Sequence, residues 1–105
     1  MDDDLKLAKE SVQLIKKDFL LEEEIELAGD QPFDRLKYEL TRIISYLLNT
    51  DMPRLMNAMY RIDISESRFA EILQSAPPDE VASQLADAII AREKQKVKLR
   101  RKYSS

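Results

Sequence analysis

The residue types that most often carry chemistry are few in this chain, and two of them are missing. Cysteine and histidine are both absent, which removes disulfides, thiolate nucleophiles, imidazole bases and the zinc or non-haem iron sites that need those ligands. Carboxylate and ammonium chemistry is what remains. The densest acidic run is Glu22, Glu23, Glu24 and Glu26. On a helix Glu23 and Glu26 would lie one turn apart, and paired carboxylates suit a hard cation such as magnesium. A magnesium-dependent phosphohydrolase would need a second acid pair on a facing helix. The core-facing positions of Leu36 to Leu48 are aliphatic instead, and Asp63 with Glu66 three residues later has the spacing of a capping box. The run therefore reads as a solvated face, and the chain is expected to be non-catalytic, with no metal and no cofactor.

Opposite charge collects at the other end. Met1 to Gln31 holds ten acids against four bases, Arg92 to Ser105 seven bases against one acid, and the whole chain carries a net −3. The candidate partner-binding residues are Arg92, Lys96, Arg100, Arg101, Lys102 and Tyr103. Lysines and arginines along one helix could neutralise phosphates while Tyr103 stacks on a base. The acidic total, and the absence of any aromatic residue between Phe69 and Tyr103, favour acidic protein surface over nucleic acid. If the last helix packs antiparallel to the first, Asp2, Asp3 and Asp4 lie beside Arg100, Arg101 and Lys102, which suits both helix dipoles. Across a two-fold axis the tail would instead reach Glu22 to Glu26 of the mate.

Two other clusters have a functional and a structural reading. Met52, Met56 and Met59 share a helix face that could form an adaptable groove, although core filling is the commoner use of methionine. Tyr60, Arg61 and Asp63 gather at a turn between helices, where arginine and aspartate more simply stitch the turn together.

The elements that must position these groups are all helical: 44% hydrophobic and 35% charged residues with a single glycine describe a small all-α bundle of about five helices in one domain, residues 1–105, ending in the basic tail 92–105. The spacing of Leu5, Ala8, Val12, Ile15 and Phe19, with a second row at Leu7, Leu14, Leu21, Ile25 and Ala28, predicts a first helix over 4–28, stopped by Gly29. At 1.5 Å per residue it would be about 37 Å long, beyond the roughly 26 Å diameter of a compact chain this size, so part of it would overhang or be covered by a second chain. Further helices are predicted at 33–49, 52–62, 65–75 and 78–102. Their apolar stripes place the core on Leu40, Ile43, Ile44, Leu47, Leu55, Met59, Phe69, Ile72, Leu85 and Ile89. Thr50 or Asp51 caps the third helix ahead of Pro53, and Asp63 caps the fourth.

The run from Leu55 through Met59, Tyr60, Arg61, Ile62, Asp63, Ile64 and Ser65 to Glu66 resembles a segment of small uncharacterised all-helical bacterial proteins. That resemblance implies a bacterial origin and no established activity. No apolar run approaches the ~20 residues of a membrane span, and the acidic start and lack of cysteine fit a cytoplasmic chain. The sequence thus predicts a helical protein–protein interaction or structural module, a homodimer or the partner of another protein, with nucleic-acid binding through the basic last helix as the alternative.

Overall fold

The computed structural model describes residues 2–27 and 29–103, the side chain of Asp2 excepted. Five α-helices follow in order: α1 (Asp2–Phe19), α2 (Pro32–Thr50), α3 (Met52–Ile62), α4 (Glu66–Ser75) and α5 (Val81–Tyr103), the last entered through a 3-10 turn at Pro78–Glu80. Among the described residues there is no strand, and no helix is long and apolar enough to cross a membrane. The long α5 packs chiefly on α2 and α1, while α3 lies across α1 and α2, and α4 lies on α5. α1 and α5 run antiparallel, since Glu10 meets Arg101 while Asp18 meets Lys96.

The apolar stripes of α2 to α5 meet in one core. Every residue placed there from the spacing is buried, with Leu40, Ile44, Leu55, Leu85 and Ile89 fully enclosed. α1 adds Val12, Ile15 and Phe19. Met59 is buried, and Met52 and Met56 pack half-buried against the same core, so the methionine face fills space inside the domain.

The first helix is shorter than its periodicity predicts. It ends at Phe19, and residues 21–27 are irregular. Leu20 takes a left-handed conformation with φ 57°. The N–H of Leu21 then donates to Lys16 O at 2.9 Å, and that of Leu20 to Lys17 O at 3.3 Å, the paired bonds of a Schellman stop. A leucine there costs about 1 kcal/mol or more that glycine would not. Two arginines of α3 offset it. Arg54 donates from Nε and Nη2 to Phe19 O (3.1 and 3.0 Å) and from Nη2 to Leu20 O (2.8 Å), and Arg61 donates from Nη1 to Asp18 O (3.2 Å). Charge acts in the same direction. Lys16 and Lys17 now occupy the last turn, where the dipole favours cations, whereas a helix continued to 28 would have set Glu22, Glu23, Glu24 and Glu26 there. Ile25 is nevertheless buried, and Leu21 and Leu27 pack against the core. Their spacing reports burial without helix. Ala28, placed in the same row, lies outside the described residues. Gly29 does adopt a positive φ of 99°, but as part of the turn into α2.

At 18 residues, α1 is about 27 Å long within a molecule of 39 × 30 × 26 Å. No overhang arises, and excess helix length gives no support to a second chain. The caps differ in one place as well. Asp51 caps α3 as expected, Oδ1 accepting from Arg54 N at 3.2 Å. The cap of α4 is Ser65, whose hydroxyl accepts from Arg68 N at 3.1 Å. Asp63 sits two residues earlier in the left-handed conformation that closes α3, whereas the cap of α4 needs the extended backbone that Ser65 adopts.

The stop at Phe19 predicts a specific sensitivity. Arg54→Met should lower the unfolding free energy in urea by about 2 kcal/mol, since it strips charged donors from partly buried carbonyls. Arg42→Met, which loses only exposed pairs to Glu39 and Glu23, should change it by less than about 0.5 kcal/mol. Equal small losses would mean that the helix ends there for another reason.

Candidate functional site

The basic tail does not present one face. α5 turns its cations to three sides, and the six candidate residues divide among them. Towards α1, Arg101 Nη2 donates to Glu10 Oε1 at 2.8 Å. That bond is the main cause holding the Glu10 carboxyl below its ordinary range and the Arg101 guanidinium above its own. The acidic start is thus answered through Glu10, with Asp3 acting on Arg101 only through space. The side chain of Asp2 lies outside the described residues. Lys96 turns inward and is only 23% exposed. Its Nζ donates to Arg61 O at 3.1 Å and lies 3.6 Å from Asp18 and 3.2 Å from Glu93. Arg100 borders the same inner hollow, of about 380 Å³, with Asp18 and Arg61. Tyr103 is 77% exposed, with the Lys102 ammonium 5.6 Å from its ring centre.

The third side of α5 forms an open groove of about 910 Å³ against the α3–α4 turn. Ile64 and Leu99 give it an apolar floor, and Leu99 is 44% exposed. Arg68, Lys98 and Lys102 stand at its rim. Arg68 has only a loose pair with Glu71 of its own helix at 3.9 Å, and among the described residues Lys98 and Lys102 meet no carboxylate. Arg92 closes one end, its Nη2 donating to Asp63 Oδ2 at 3.0 Å. So Asp63 stitches the turn through α5, while Arg61 is spent on the end of α1. Beside them the Tyr60 hydroxyl donates to Glu66 Oε1 at 2.5 Å, which raises the phenol's pKa. Of the six candidates the groove brings together Arg92 and Lys102. Lys98 and Arg68 complete it; only folding reveals that α4 faces that side of α5.

Glu93 was hidden among the lysines. It is fully buried on the α1 side of α5, and neither of its carboxylate oxygens has a hydrogen-bond partner among the described residues. Burial pushes its carboxyl up to about 7. The Asp18 carboxylate pushes the same way and Lys96 opposes both. A proton held near neutrality inside a helix pair makes the packing of α1 on α5 sensitive to pH, and Glu93 has no exposed surface.

The acidic run lies on the far side of α1 from this hollow. Glu22, Glu23, Glu24 and Glu26 are all exposed. Lys16 meets Glu24 at 2.5 Å, and Arg42 reaches Glu23 only at 4.0 Å. Without a helix beneath them, Glu23 and Glu26 lose the one-turn register that a paired metal site would use.

Neither protein-family models, nor curated protein sequences, nor solved structures provide a match to this chain. The resemblance carried by Leu55 to Glu66 therefore rests on those residues alone.

The raised carboxyl sets a pH dependence. The unfolded chain loses the Glu93 proton near 4.5 and the folded protein near 7. Between those values the fold holds a proton that the unfolded chain has released, so this contribution is complete below about pH 4.5 and declines as pH rises to about 7. Each pH unit is worth about 1.4 kcal/mol, so Glu93→Gln should leave stability at pH 4 little changed and raise it by about 3 kcal/mol at pH 8. Urea unfolding of both proteins across that range measures the difference. A gap that does not open with pH would show that Glu93 ionises as an ordinary carboxyl.

Proposed function

We propose that this protein is a non-catalytic helical interaction module that self-associates. The observation that carries the reading is the groove on α5, whose half-exposed apolar floor is bordered by Lys98 and Lys102, which meet no carboxylate among the described residues, and by Arg68, held only by a loose pair with Glu71. Uncompensated charge around apolar surface marks a place for another molecule. The same chain displays exposed carboxylates at Glu22, Glu23 and Glu26 on a different face, so two copies carry complementary surfaces. Nucleic acid is the second reading, favoured by Tyr103, which extends 77% exposed beside Lys102. Against it, Lys96 and Arg101 are committed within the fold, Arg100 lies at a separate hollow, and Lys98 and Lys102 border a short groove.

Light scattering over a wide range of protein concentration tests the reading. The mass should rise above the 12.2 kDa monomer as concentration increases, and fall back in high salt, because rim charges are screened. A monomer at every concentration that instead binds duplex or single-stranded nucleic acid below about 1 μM near physiological salt would replace this reading, since non-specific binding is typically weaker than that.

A further inference from the structure

We propose that the groove on α5 seats a second copy of this chain, which enters with the corner that closes α1, Leu20 followed by Glu22 and Glu23. The proposal rests on the self-association reading and supplies its contact. Leu20 is the observation that singles out the corner. It is held at a positive φ and its side chain is 59% exposed. It also lies outside the group of residues packed on the core. Glycine would fill that backbone position without strain, so nothing inside the fold accounts for a leucine. Strain kept at an exposed position points to use elsewhere.

The corner and the groove match in polarity. An exposed leucine followed by two loosely held carboxylates faces an apolar floor of Leu99 and Ile64 bordered by Lys98, Lys102 and the loosely paired Arg68. Leucine packing on the floor would be the anchor, because exposed ion pairs at a rim contribute little individually and act mainly on approach and orientation. Both carboxylates can turn outward: Glu22 meets no cation among the described residues, and Glu23 reaches Arg42 only at the 4.0 Å limit of contact. The corner and the groove share no residue, so one copy's corner meets the next copy's groove head to tail, which yields a reciprocal pair or an open chain according to the rotation between copies.

Three variants of the full chain, each checked for wild-type helical signal by circular dichroism, test this by sedimentation at low salt. Leu20→Gly alone should melt at the same or a higher temperature than wild type yet associate about tenfold or more weakly, as expected for the loss of a buried leucine contact. A corner variant (L20G/E22K/E23K) and a groove variant (K98E/K102E) should each be monomeric where the wild type associates. Mixed in equal amounts they should recover a one-to-one complex if left with one good corner and one good groove between them. If the wild type associates but the variants associate equally well, or the mixture stays monomeric, the contact is elsewhere and only this proposal fails. If the wild type is monomeric throughout, the self-association reading fails with it. Capture of an oligonucleotide by the wild type, lost in K98E/K102E, would assign the groove to a phosphate backbone and overturn the proposal.

Discussion

The packing of this protein depends on where its first helix stops. Three carbonyls at the end of α1, those of Asp18, Phe19 and Leu20, are taken by the guanidinium groups of Arg54 and Arg61. These arginines lie two turns apart on one helix, so a single face of α3 grips the end of α1. Fixing that end sets Asp18 opposite Lys96 and so the register of α1 on α5, with Glu10 falling opposite Arg101. It also frees residues 21–27 to fold back, with Ile25 in the core and the glutamates outward. Charge-assisted donors on otherwise orphaned carbonyls are among the stronger polar contacts a small domain can make.

The buried group on the other side of α5 has the reverse character. Among the described residues Glu93 has Lys96 and Asp18 as its charged company of opposite and like sign, and Arg61 O takes part of the lysine. Such a cluster specifies register more than it stabilises, since desolvation offsets much of the attraction between buried charges. A carboxyl that keeps its proton near neutrality lessens that desolvation cost at the expense of the ion pair with Lys96. The antiparallel packing of α1 on α5 is therefore tuned by pH from inside and by salt from outside, where Arg101 meets Glu10 in solvent.

The cations of α5 show why a count of charge along a sequence does not describe a surface. Seven bases in the last 14 residues suggest one basic face, yet at 100° per residue successive positions on a helix point to different neighbours. Lys96 and Arg101 face α1, Lys94 lies over the Phe33 ring at 4.4 Å, and Arg92, Lys98 and Lys102 face the groove beside α4. Of the last group Arg92 is held by Asp63, and Lys98 and Lys102 are left to act on another molecule. The same reasoning applies to the acidic run, whose four glutamates gain reach and lose metal-binding register once the backbone beneath them is irregular.

The amino-acid sequence by itself determined the helical class, the positions of α2 to α5 and the residues of the central core. Apolar spacing of three and four, with Pro32, Pro53, Pro77 and Pro78 at helix boundaries, leaves few other ways to bury Leu40, Ile44, Leu55 or Leu85. Antiparallel pairing of the first and last helices was legible from opposite charge at the two ends. The end of α1 was not, because Leu21 and Ile25 continue the helical spacing and are buried whether or not the backbone between them is helical. What stops the helix is Arg54, 34 residues away along the chain from the carbonyl of Leu20 that it binds, and no local pattern records such a partner. Tertiary structure likewise decided that Ser65 rather than Asp63 caps α4, that Glu93 lies inside, and that Arg68 joins the cations of α5 around one groove. Each depends on which helices come together, and periodicity specifies that a face is buried without specifying what it is buried against.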